Sequence, residues 1–77
     1  MLTIGEAMRK ARLDRHLTQT QLAIKANTSI ANIHQWEQGK AYPTIINLIP
    51  VADALNISLD ELVGRAVADN VQKEEKA

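Results

Sequence analysis

The chain has 77 residues, with nine Lys or Arg against nine Asp or Glu, a formal net charge of zero at pH 7, and no Cys. That length admits one domain, whose core is small because a fold of this size buries only about 60% of its unfolded surface. It leaves little scaffold to wall a catalytic cleft, so the expectation is a binding protein with no enzymatic activity and no cofactor. The missing Cys excludes disulfides and thiolate-held metal, and the longest apolar stretch, residues 48–52, is too short for a membrane span.

Period-2 alternation is absent, and the signals are helical from end to end, which predicts an all-α fold. Ile4, Met8 and Ala11 recur on one face and predict a first helix over about residues 3–15. His16 follows it, where the chain must reverse and a residue tolerant of the left-handed region is needed. Thr18 and Gln21 form a Thr-x-x-Gln capping box that opens the second helix. Its inward face, Leu22, Ala23 and Ala26, is narrow enough for a close neighbour, and Asn27 is its natural stop. Ser29 is a good N-cap for a third helix, with Ile33 and Trp36 inward and Gly39 closing it. Pro43 places residues 39–43 in a loop. Thr44 or Asn47 caps a fourth helix carrying Leu48, Val51, Ala52 and Leu55. Pro50 should distort that helix or delay its start, which leaves Asn47 open as its cap beside Thr44. Asn56 ends it. Ser58 and Glu61 make a second capping box, opening a fifth helix with Leu59, Leu62 and Val63 inside. Val67 and Val71 continue a weak helical pattern into a charged tail.

Charge divides along the chain. Residues 1–44 hold six basic side chains against three acidic ones, and residues 45–77 hold the reverse. The zero average speaks against a nucleic-acid partner, but the halves need not cancel in space. Glu6, Arg9, Lys10 and Arg12 occupy the place where a secretory signal would carry its apolar core, so the expected setting is the cytoplasm, away from membranes.

Two short helices joined by a tight turn make a helix-turn-helix pattern. With Ile33 and Trp36 inward, the opposite stripe of the second of them is Ile30, Ala31, Asn32, His34 and Gln35, without a charge. An ordinary solvated face prefers Lys and Glu. Amides can bond an adenine edge bidentately, and Ile and Ala can meet a thymine methyl, so the stripe suits base edges in a major groove. Ser29 and the first amides of that helix suit phosphate.

Residues 3–64 resemble the DNA-binding domain of the Cro and phage lambda repressor type of helix-turn-helix regulator. The matching run is Leu17-Thr18-Gln19, Leu22-Ala23, Ser29, Ile33, Trp36-Glu37, Gly39-Lys40 and Pro43, continuing through Leu48, Ala52, Ala54-Leu55 and Ser58-Leu59-Asp60-Glu61-Leu62. The resemblance implies a compact five-helix domain over residues 1–65, with its motif at 19–38 and a charged tail at 66–77. It implies a sequence-specific transcriptional regulator of double-stranded operator DNA. By position it assigns base contacts to Ile30, Ala31, Asn32 and Gln35. Gln19, Ser29, Lys40 and Thr44 fall where relatives touch phosphates, and Arg12 and Glu37 match an ion pair tying helix one to helix three. Asn27 and Thr28 depart from the family's usual Gly and aliphatic residue, and Ile30 and Ala31 shift readout there toward methyl contacts.

His34 and the exposed-loop Tyr42 are edge contacts to DNA in this reading, and a protonated His34 would add a phosphate contact. His16 and His34 lack metal-ligand spacing, so no metal is expected. Trp36 reads as a core anchor. Such a domain reads only a few base pairs, which calls for a homodimer with Leu59, Val63 or Val67 at its interface and recognition helices about 34 Å apart. Bound across a promoter it would repress; placed upstream it could activate. The alternative is an antitoxin-type module that binds a protein partner through residues 66–77, with DNA binding secondary.

Overall fold

The computed structural model describes residues 3–64. Four helices, α1 (Ile4–Asp14), α2 (Gln19–Lys25), α3 (Ile30–Gln38) and α4 (Ile45–Ala54), are followed by a fifth, α5, over residues 59–64. The described residues contain no strand. Val67, Val71 and the tail lie outside them.

Each helix start is fixed by a side chain that satisfies an orphan backbone donor. The Thr3 hydroxyl accepts from the Glu6 N–H at 3.1 Å while the Glu6 carboxylate accepts from the Thr3 N–H at 2.8 Å. Thr18 and Gln21 make the same reciprocal pair at 3.0 and 2.9 Å. Ser29 caps α3, and the Ser58 hydroxyl accepts from the Glu61 N–H at 2.9 Å. Each such cap contributes about 1 kcal/mol. The first helix begins one residue inside the expected span, with Thr3 as its cap.

The helix ends share one device. His16, Asn27 and Asn56 have φ near +55° and Gly39 has φ of +76°. Around each, two successive N–H groups turn back to the last carbonyls: His16 to Leu13 and Leu17 to Arg12, Asn27 to Ile24 and Thr28 to Ala23, Gly39 to Trp36 and Lys40 to Gln35, Asn56 to Asp53 and Ile57 to Ala52. This is the left-handed closure that Gly and Asn accept most readily. It makes the connections short and leaves α2 and α3 little freedom relative to each other.

The core is built from Met8, Leu22, Ile33, Val51, Leu55 and Leu62, all fully buried, with Ala7, Ala11, Ala23 and Ala26 between them. The small residues let α1 and α2 approach α3 closely. The closest approach is at Gly5, where an added Cβ would meet the Trp36 carbonyl oxygen at 2.0 Å. The first turn of α1 therefore rests directly on the backbone of α3.

Of the two caps open to α4 the structure takes Thr44, so Pro50 does not delay the start of the helix to Asn47. Thr44 is the N-cap, and its hydroxyl and carbonyl both accept from the Asn47 N–H, at 3.4 and 3.0 Å. Pro50 lies inside the helix. The carbonyl it deprives of a helical donor is that of Ile46, a residue 77% exposed, so the missing bond falls on the solvent side and the helix continues.

Candidate nucleic-acid interface

The exposed face of α3 is a consequence of how the helix is held. On its inner side Ile33, Trp36 and Glu37 are buried. Glu37 meets Arg12 of α1 in a bidentate pair, Nε to Oε2 at 2.7 Å and Nη2 to Oε1 at 3.0 Å, with both side chains less than a tenth exposed. The third guanidinium nitrogen, Nη1, donates to the Leu17 carbonyl at 2.8 Å, in the α1–α2 connection. The Gln19 amide adds a bond from Nε2 to Glu37 Oε1 at 3.1 Å. Neither charge is left with an unpaired buried polar atom, which is the condition under which a buried pair is tolerated. One network thus ties α1, the first residue of α2 and the end of α3 into a single frame.

On the outer side Ile30, Ala31, Asn32, His34 and Gln35 are all exposed, and none of them is a Lys, Arg, Asp or Glu. The structure brings these five sequence-predicted residues onto one continuous face. Asn32 is the most constrained: its backbone N–H donates to the Ser29 hydroxyl at 3.0 Å and its Nδ2 donates to the Thr28 hydroxyl at 3.0 Å. Ser29 uses one oxygen lone pair in that cap and keeps its own hydroxyl hydrogen as a donor.

The residues expected to contact phosphate come from α2, the cap of α3, the loop after it and the start of α4. Gln19 is half-buried, with one amide hydrogen engaged by Glu37. Lys40 and Tyr42 are exposed on the loop after α3, and Thr44 is exposed at the start of α4. The buried pair also changes the charge balance. With Arg12 and Glu37 neutralising each other, the surface of residues 1–44 carries Arg9, Lys10, Arg15, Lys25 and Lys40 against Glu6 and Asp14.

The described residues enclose no pocket, and no group of three or more His, Cys, Asp or Glu side chains among them could hold a metal. None of their helices is long and apolar enough to cross a membrane. Of the dimer candidates, Leu59 and Val63 are half-buried and pack against the core; Val67 lies outside the described residues. Sequence reasoning overlooked the exposed apolar side chains of α4, where Ile45, Ile46 and Ile49 are about half exposed or more, with Ile24 of α2 exposed as well. The signal was present, since Ile45 and Ile46 precede the first inward position, Leu48, and Ile49 lies between Leu48 and Val51.

The helix-turn-helix family pattern matches residues 8–62. The cryptic phage CTXphi transcriptional repressor RstR of Vibrio cholerae is 38% identical over 72 residues, covering 94% of this chain and 64% of that one. The immunity repressor protein of Bacillus phage phi105 is 37% identical over 76 residues, covering 99% of this chain and 51% of that one. The chain thus spans between about half and two thirds of the length of these relatives. The P22 c2 repressor, solved in complex with a synthetic operator, superimposes with a TM-score of 0.75 at 31% identity, over 80% of this chain and 94% of that one. The five-helix architecture, the turn closed at Asn27 and the family pattern across the core place this chain in the helix-turn-helix family of the Cro and phage lambda repressor type.

Proposed function

We propose that this chain is a sequence-specific regulator of transcription that binds double-stranded operator DNA with α3 in the major groove. The observation that carries the reading is the uncharged, exposed face of Ile30, Ala31, Asn32, His34 and Gln35 on a helix whose other side is locked by Arg12 and Glu37. A rigid helix with amide and methyl groups outward has the chemistry of base-edge readout. Gln19, Ser29, Lys40 and Thr44 would fix its register on phosphates, with His34 and Tyr42 at the edge. The role is binding, not catalysis, and its setting is the cytoplasm. The naming of the relatives as repressors, and the operator bound to the P22 c2 protein, support repression as the outcome.

The binding unit in this reading is residues 1–65, acting as a homodimer. Its small exposed positive excess gives weak, readily screened attraction to random DNA, so two copies are needed for useful affinity and specificity. Selection of bound duplexes from a random pool tests the function. The expected result is one enriched motif with two half-sites about one helical turn apart; a pool that stays unenriched would refute it.

A further inference from the structure

We propose that Thr28, in the turn of the motif, is a positioning residue that sets the base preference of Asn32. The inference rests on the DNA-reading role proposed for α3. The third residue of a capped helix can turn its side chain back to the N-cap backbone. Glu6 does so in α1 and Gln21 in α2, which commits both side chains to their own helix. In α3 the equivalent position is Asn32, and no such reciprocal pair forms there. Its shorter amide bonds the Thr28 hydroxyl, one residue before the cap.

That bond has a geometric consequence. An Asn amide has two donor hydrogens and one acceptor oxygen. With one hydrogen held by Thr28, the other hydrogen and Oδ1 remain, and one donor beside one acceptor is the set that an adenine edge requires. Thr28 is itself well fixed. Its N–H donates to the Ala23 carbonyl at 2.9 Å, it is half-buried, and its branched Cβ restricts χ1. The hydroxyl therefore carries the position of α2 to the amide of Asn32. A side chain oriented before binding loses less freedom on binding, and an amide held one way favours adenine over the bases that would require it to turn.

The test compares Thr28→Val, which keeps the branched shape and removes the hydroxyl, with Thr28→Ser, which keeps the hydroxyl. Asn32→Ala locates the base pair that Asn32 reads within the duplex selected by the wild-type chain. Binding to that duplex and its single-base variants is then measured. Thr28→Val should lower the preference at that pair by about three- to tenfold, as expected for one unrestrained side chain, and leave other positions unchanged; Thr28→Ser should retain the preference. In the free protein, relaxation of the Asn32 side-chain amide should show it restrained in the wild type and in Thr28→Ser, and mobile in Thr28→Val. An equal loss on all sequences would make Thr28 a phosphate contact and overturn the inference, as would an unchanged profile. A wild-type chain that enriches no sequence refutes the DNA-reading role itself; one that selects while Thr28→Val keeps its profile overturns this inference alone.

Discussion

The two faces of α3 obey opposite rules. On the inner face almost every polar atom is already engaged: Glu37 accepts from Arg12 and Gln19, and Trp36 and Ile33 are packed, with Gly5 against the backbone itself. On the outer face Ile30, Ala31, Asn32, His34 and Gln35 stand in solvent. The inner face fixes where the helix lies, and the outer face keeps hydrogen-bonding capacity for something else. Substitutions should therefore separate cleanly, with inner changes lowering stability and outer changes lowering recognition.

The largest expected effect is on the inner face. Glu37→Ala leaves the Arg12 guanidinium buried without its counter-charge and should cost about 3–5 kcal/mol of stability, measured by urea unfolding. A loss below about 1 kcal/mol would put the pair on a level with an exposed one and dissolve the contrast. Next is Gly5→Ala. Helix propensity alone would favour Ala by up to about 1 kcal/mol. The added Cβ, however, would sit 2.0 Å from the Trp36 carbonyl oxygen, which is backbone and cannot rotate away. The expected net result is destabilisation by about 1–3 kcal/mol; a raised unfolding midpoint would mean that α1 moves off α3 without cost. The smallest effect lies beyond the outer face. Lys40→Gln should weaken binding to all duplexes alike and make the dependence of log Kd on log salt shallower by about one unit. A loss confined to particular sequences would move Lys40 among the base readers.

Much of the fold was legible because its determinants are short-range. Thr18 with Gln21, and the turn residues His16, Asn27, Gly39 and Asn56, act within a few positions, so their types announce their roles. The outward stripe of α3 followed from Ile33 and Trp36 pointing inward. The pairing of Arg12 with Glu37 spans 25 residues and came from family resemblance, not from periodicity. The contact of Gly5 with Trp36 and the bond from Gln19 to Glu37 depend on how helices are placed, which no local pattern encodes. The choice between Thr44 and Asn47 was not legible, because the cost of Pro50 depends on the surroundings of the carbonyl it orphans, and that carbonyl belongs to Ile46, a residue 77% exposed.

Gln35 tests the central claim most directly, because it lies on the outer face only one residue from buried Trp36. The measurement is the base-preference profile of Gln35→Ala against the wild type, on the selected duplex and its single-base variants. The account predicts a loss of about 1–3 kcal/mol confined to one base pair, with the urea midpoint unchanged. An unchanged profile, or an equal loss on every sequence, would contradict it.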